Sequence, residues 1–241
     1  MSADVELRPP VRDDPRPAEH FTRFHERVRA RPPDGVYELC RALTVLTAPV
    51  LWRIRAYDSE NVPNGPVILA PNHASFLDHF FCAAFLRRHV QFMAKSQLFQ
   101  PGPLSWVLTH GGAFPVRLGR GDEEAFITAF GVLERGGLVA MYCEGGRSRT
   151  GCVGERARPG IGRLALESGA AVVPVAILGS HQVRNWKRGR FPRVRVRYGR
   201  PFRFERLASS TRAQQQEAAD LILARIRALH AELERAYARR S

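Results

Sequence analysis

Lysine is nearly missing from this chain. Of 37 basic residues only Lys95 and Lys187 are lysines, so a formal net charge of +14 is carried by arginine. The arginines are spread along the 241 residues and do not gather in one tail. Such a balance favours an acidic partner: nucleic acid, an anionic membrane or a phosphorylated substrate. A nucleic-acid-binding protein would cluster its basic residues with aromatics on one face or show a recognisable motif, and neither is visible. Cysteine is also scarce. Cys40, Cys82, Cys143 and Cys152 form no Cys-x-x-Cys pair and no zinc-like spacing with histidine. They read as free thiols in a reducing compartment. Long apolar runs are absent as well. The stretch Ala42–Trp52 is broken by Pro49 and falls well short of the ~20 residues that cross a bilayer. The polar, proline-rich N-terminus lacks the apolar centre of a secretory signal.

Cofactor motifs are equally sparse. There is no Gly-x-x-x-x-Gly-Lys phosphate loop and no Gly-x-Ser-x-Gly elbow. Gly160-Ile-Gly162-Arg-Leu-Ala165 fits the loose dinucleotide pattern, but Glu155-Arg-Ala-Arg-Pro precedes it where that fingerprint needs a strand.

What is present divides the chain into three parts. Residues 1–34 are rich in proline and arginine and read as a mobile tail, with a short helix around Phe21–Val28. Residues 35–56 read as an amphipathic helical segment, kinked by Pro49, with Leu39, Leu43, Leu46 and Val50 among its apolar members. Such a segment can lie in a membrane interface; the alternative is an ordinary core-packing helix. Residues 57–241 alternate strands and helices. Strands are expected at Val67–Ala70, Val90–Lys95, Ala113–Arg117, Leu138–Cys143 and Val172–Leu178, with an exposed antiparallel strand at Arg193–Tyr198. Helices are expected at Ser75–Arg87, Leu104–Thr109, Asp122–Arg135, Gly160–Ser168 and 211–239. The fold class is α/β, a mixed sheet flanked by helices.

Two segments at strand exits carry chemistry. The first is Asn72-His73-Ala-Ser75-Phe-Leu-Asp78. On a regular helix, residues five apart point to different sides. Ser75 and Asp78, however, read as a capping box, which leaves His73 in the preceding loop, able to fold back toward Asp78. Imidazole is suited to proton transfer near neutral pH, and a carboxylate on its other nitrogen fixes the tautomer. The plainer reading is a helix cap with a bystander histidine. The second segment is Tyr142-Cys143-Glu144-Gly145-Gly146-Arg147-Ser148-Arg149, where glycines permit close approach of a ligand and arginine offers a fork for phosphate. Alone it would read as a tight turn with solvated arginines. A metal reading of His73, Asp78 and His79 lacks a further ligand at recognisable spacing. Cys143 as a thiol nucleophile is a minor alternative.

Together these segments resemble the glycerolipid acyltransferase family, whose bacterial type member acylates lysophosphatidic acid. That family carries Asn-His-x-x-x-x-Asp, an arginine-containing block, Phe-Pro-Glu-Gly-Thr-Arg-Ser and a Val-Pro-Val block. Here they appear in the same order as Asn72–Asp78, Gly111–Arg117, Tyr142–Ser148 and Val173-Pro174-Val175. The resemblance spans about residues 35–205. The departures are Tyr142 for Phe, Cys143 for Pro, Gly146 for Thr, and Arg158 where lysine is common. Spacing in the second block is also imperfect: counting from Gly111 places Ala113 at its Phe/Ile position.

The resemblance implies O-acyl transfer from a thioester to the hydroxyl of lysophosphatidic acid. His73 would be the base and Asp78 its orienting carboxylate, with Asn72 and Ser75 in support. Arg117, Glu144, Gly145, Gly146, Arg147 and Ser148 would meet the substrate. The Gly145–Gly146 turn is a candidate for oxyanion stabilisation. The co-substrate would be acyl-CoA or acyl carrier protein, with no metal or other cofactor. The partners would be a membrane lipid acceptor and an anionic membrane surface, with no nucleic acid, on the cytoplasmic face of the membrane. Alternative acceptors are glycerol 3-phosphate, a lyso-phospholipid, a lyso-ornithine lipid or a glycolipid. A non-catalytic membrane-binding protein of the same fold is a further alternative.

Overall fold

The computed structural model describes residues 14–119, 121–189 and 191–238. Among these residues seven strands form one sheet: β1 (Arg55–Tyr57), β2 (Val67–Pro71), β3 (Val90–Lys95), β4 (Phe114–Val116), β5 (Leu138–Ala140), β6 (Ala171–Leu178) and β7 (Arg195–Tyr198). Their order across the sheet is β1-β7-β6-β2-β5-β3-β4. β6, β2, β5, β3 and β4 are parallel; β7 runs antiparallel to β6, and β1 parallel to β7. This is the mixed α/β arrangement that the alternation of patterns predicts.

The helices are α1 (Thr22–Ala30), α2 (Gly35–Leu51), α3 (Asp78–Ala84), α4 (Pro103–His110), α5 (Glu123–Glu134), α6 (Gly160–Ser168) and α7 (Arg212–Ala238). They pack on both faces of the sheet. Strand residues alternate between the two cores, as a period of two requires. Val67 and Leu69 of β2 join a core that includes Phe81 of α3 and Tyr37 of α2. Ile68 and Ala70 join one with Ala129 of α5, Ile161 of α6 and Ile222 of α7. All four of these β2 residues are fully buried, the mark of a central parallel strand covered on both sides.

Several expectations are corrected. Residues 14–34 are a packed element and not a mobile tail. Arg16 binds Asp14 and the carbonyls of Ser96 and Phe99, and α1 buries Phe24, His25 and Val28 along the β4 edge. That cover removes an exposed sheet edge. Residues 1–13 lie outside the described residues. The amphipathic segment expected over 35–56 stops at Leu51, two residues after Pro49, and Arg55–Tyr57 joins the sheet as an edge strand. The helix expected from Ser75 begins at Asp78 and ends at Ala84. β7 is flanked by β1 and is not an edge strand, and it buries Val196 and Tyr198. Gly162 of the dinucleotide-like run serves helix packing: a Cβ there would sit 1.9 Å from the Gln215 carbonyl oxygen of α7.

The parallel strands end on one edge of the sheet. His73 follows β2, Lys95 closes β3, Arg117 follows β4 and Tyr142 follows β5. Ligand sites in open α/β sheets collect at this edge.

Candidate active site

The β2 exit is pinned residue by residue. Asn72 is buried, and its side-chain amide pairs with the Ile177 backbone twice: Oδ1 accepts from N at 2.7 Å and Nδ2 donates to O at 3.0 Å. The His73 backbone N–H donates to Glu144 Oε1 at 2.9 Å, and its carbonyl accepts from Ser148 N at 2.7 Å. The chain then turns through Ser75, whose Oγ accepts from Leu77 N at 3.2 Å. Asp78 Oδ2 accepts the N–H groups of Ala74 and Ser75, both at 2.7 Å. This is the reach-back half of a capping box. The same oxygen lies 3.0 Å from His73 Nδ1. Asp78 is fully buried, and His73 is partly buried with 14% side-chain exposure. Nδ1 is therefore the protonated nitrogen when the ring is neutral, and Nε2 is left to accept a proton.

Aromatic neighbours hold the imidazole plane. Tyr142 stacks on His73 with ring centroids 3.9 Å apart and 24° between planes. His79 meets both rings edge-on, at 5.4 Å from His73 and 4.9 Å from Tyr142. Burial, reinforced by His73, pushes the His79 pKa down to about 4. Its ring is therefore neutral near pH 7. Burial also raises the Tyr142 phenol well above its usual range.

A cavity of about 170 Å³ opens beside His73. Its walls include Lys95, Tyr142, Gly145, Gly146 and Arg147, with Val116 and Leu118 from the β4 exit. Lys95 has its pKa lowered, first by burial and then by the charge of Arg147. Gly145 has φ +71°, and a Cβ there would lie 2.7 Å from Arg158 Nε, so this turn needs glycine on both counts. A second cavity of about 90 Å³, almost wholly apolar, lies between α2, α3 and α4. It shares Phe76, His79, Ala94 and Leu98 with the first.

The sequence-predicted site residues divide on this geometry. His73, Gly145, Gly146 and Arg147 meet at the cavity, with Asp78 behind the histidine. Arg117 does not line it. Its backbone N–H donates to Asp122 Oδ2 at 2.7 Å, and its Nε lies 3.6 Å from the same oxygen. Its reading as a substrate contact therefore draws no support from this cavity. Glu144 and Ser148 are also off this cavity's wall, and Ser148 lines a neighbouring cavity with Ser75 and Arg147. Glu144 is buried, and its two oxygens accept from His73 N and, at 3.0 Å, Gly154 N. Burial pushes its pKa up to about 7, against those two hydrogen bonds. Ser148 ties the β5 exit to the β2 exit and accepts from Gly151 N at 3.1 Å. Both residues brace the loops and do not face the cavity. Lys95 and Tyr142 are among the cavity residues that reasoning from sequence misses. A lone lysine at a strand's C-terminal end, in a chain that otherwise uses arginine, is the signal for the first.

Cys143 is fully buried in the core on the far face of the sheet from Tyr142, and burial raises its thiol pKa. It is not placed to be a nucleophile. All four cysteines are free. Among the described residues no three His, Cys, Asp or Glu side chains are grouped to hold a metal ion.

The profile of the family described as Acyltransferase matches residues 53–178, which hold every residue of this cavity. The chain belongs to that family. Among curated relatives, it is 26% identical over 136 residues to the chloroplastic 1-acyl-sn-glycerol-3-phosphate acyltransferase LPAT1 of Arabidopsis thaliana, covering 55% of this chain and 38% of that one. It is 27% identical over 156 residues to the 1-acyl-sn-glycerol-3-phosphate acyltransferase of Pseudomonas aeruginosa, covering 61% and 58%. The match thus spans between about two fifths and three fifths of the length of these relatives. Among solved structures, the 1-acyl-sn-glycerophosphate (LPA) acyltransferase PlsC of Thermotoga maritima superposes with a TM-score of 0.59 at 20% identity, over 87% of this chain and 89% of that one. That likeness establishes a shared acyltransferase fold. The Asn72–Asp78 segment of the pinned β2 exit lies within the matched residues.

Proposed function

We propose that this chain transfers a fatty acyl group from a thioester donor, acyl-CoA or acyl carrier protein, to the free hydroxyl of lysophosphatidic acid, giving phosphatidic acid. One observation carries the reading. The His73–Asp78 pair opens onto a cavity with two cations, Lys95 and Arg147, on its wall, and this cavity adjoins an apolar one.

In this mechanism His73 Nε2 takes the proton of the acceptor hydroxyl as the oxygen attacks the thioester carbonyl carbon. Asp78 holds the proton on Nδ1 and stabilises the imidazolium that forms. The Gly145–Gly146 turn offers backbone N–H groups to the oxyanion. The C–S bond then breaks, and the imidazolium returns its proton to the departing thiolate. No covalent enzyme intermediate arises. Lys95 and Arg147 take the acceptor phosphate, where the site is partly dry and charge-assisted hydrogen bonds are strong. The apolar cavity takes an acyl chain.

We also infer that α2 meets the membrane. Leu43, Leu46 and Val50 are 52%, 71% and 73% exposed on it, and Leu104 and Trp106 of α4 are 44% and 55% exposed. Among the described residues no helix is long and apolar enough to cross a membrane, so the contact is an interfacial one. The departures at Tyr142, Cys143 and Gly146 favour a second reading, the same chemistry on another lyso-lipid or on glycerol 3-phosphate.

The test is a mass-spectrometric assay in detergent micelles, offering acyl-CoA and acyl carrier protein thioesters against a panel of acceptors. Phosphatidic acid from lysophosphatidic acid, made by the wild type and not by His73→Ala, is the expected result. Product from a different acceptor alone keeps the chemistry and reassigns Lys95 and Arg147. Silence with every donor and acceptor overturns the reading.

A further inference from the structure

Far from His73, at the β1–β7 edge of the sheet, five arginines line a groove of about 850 Å³: Arg53, Arg55, Arg193, Arg195 and Arg197. Those of β7 stand at every second residue and so share one face of the strand. Arg55 of β1 is the register partner of Arg195, and Tyr57 of Arg197. Adjacent strands are about 4.8 Å apart, so Arg55 and Arg195 are immediate neighbours. Like charges placed opposite each other destabilise a sheet.

The carboxylates nearby do not offset this. Asp58 and Glu232 both pair with Arg197, at 2.6 and 3.5 Å. Among the described residues no carboxylate forms an ion pair with Arg53, Arg55, Arg193 or Arg195. The fold asks only for polar residues at these positions, so this density of like charge exceeds what the sheet needs. Part of the array is also held in place. Arg195 donates to the Arg53 carbonyl at 2.7 Å and lies over the Tyr237 ring at 5.3 Å, and Arg193 reaches the Tyr237 hydroxyl at 3.4 Å. Arg53 itself sits at φ +42°, in the left-handed region that ordinary residues avoid.

We propose that this groove binds the phosphate of an anionic phospholipid headgroup, at a site separate from the catalytic cavity. Guanidinium forks match phosphate oxygens in pairs, which fits an array built from arginine. The groove begins at Pro49, in the last turn of α2, directly beside the exposed Val50. Arginines at the end of an apolar interfacial face stand at headgroup depth. The choice of a lipid over a free phosphate rests on the reading of α2 as the membrane-facing helix.

Vesicle co-sedimentation of the full chain tests this, with phosphatidylcholine vesicles and with vesicles containing phosphatidylglycerol. Arg53→Gln combined with Arg55→Gln removes two side chains that make no hydrogen bond or ion pair among the described residues, so the melting temperature should hold. The double variant is expected to bind the anionic vesicles about 30-fold more weakly, two basic contacts' worth, and phosphatidylcholine as the wild type does. Arg193→Gln, a second and independent variant, should repeat the pattern. Unchanged binding to anionic vesicles in both variants overturns the proposal. So does protection of the wild type, and not of the double variant, against heat by millimolar inorganic phosphate alone, which would make this a free-phosphate site. Leu46→Gln with Val50→Gln separates the two readings. Intact binding to phosphatidylcholine in that variant sinks the α2 assignment, while the anionic preference still reports on the groove.

Discussion

Two strand exits on the same edge of the sheet treat their polar residues in opposite ways. After β2 the chain leaves the sheet plane at once, and a turn of six residues brings Asp78 back to His73. After β4 the chain runs through Arg117 into a turn at Leu118 and Gly119. Val116 and Leu118 face the cavity, and Arg117 between them is turned to Asp122. A motif residue's position in sequence thus says which loop it occupies. Which side of the sheet it faces depends on strand parity, and a shift of one residue reverses it. The cation that the β4 exit does not supply comes from Lys95 at the end of β3.

The comparison can be broken most severely at His73. His73→Ala removes the base and is expected to lower kcat about 10³–10⁴-fold while leaving the fold intact by circular dichroism. Full retention of activity would falsify the base assignment. Asp78→Asn is expected to cost about 10²–10³-fold in kcat, with little change in acceptor KM, because it disturbs the tautomer and the turn together.

The two cations then sharpen the contrast between the exits. Lys95→Ala should raise KM for the acceptor about tenfold or more, as a charge-assisted contact is lost. Arg117→Ala should leave KM within about twofold and lower stability by about 1 kcal/mol, the scale of one modest ion pair. The reverse ranking, measured side by side, would return Arg117 to the site.

The smallest effect is on stability against pH. Glu144 has a folded pKa of about 7, above its ordinary 4.5. The folded protein therefore holds this proton more tightly than the unfolded chain does. That contribution is full below pH 4.5 and is lost as the pH rises through 7. Wild-type melting temperature should fall between pH 5 and pH 8 relative to Glu144→Gln, by a few degrees at most. Parallel profiles for the two proteins would show that Glu144 is already ionised in the folded state.

Much of this was legible in the sequence, for identifiable reasons. β2, β3 and α6 follow from predominantly apolar runs or clear helical spacing, and their bounds agree with expectation to within a residue. The His73–Asp78 pairing is local, and the capping-box reading anticipates the loop that makes it. β1 was hidden because Arg55-Ala-Tyr57 is too short and polar to read as a strand; it forms only because β7 offers an unpaired edge. The packing of residues 14–34 was hidden as well. It depends on Arg16 meeting carbonyls some 80 positions away, which no local pattern reports. The partners of Glu144 and Ser148 were hidden for a related reason: they are backbone groups of other loops, and the sequence does not say which.

The side chain of Asn72 finishes the sheet where the main chain departs from it, filling the place of the next β2 residue opposite Ile177. The amide proton of Ile177 is consequently locked by a side chain belonging to the reactive loop. In deuterated water that proton should exchange only when the central strands separate, at the pace of the slowest amides in the molecule. The lifetime of the loop is thereby joined to the lifetime of the whole domain, and its residues are spared the fraying that strand ends ordinarily undergo.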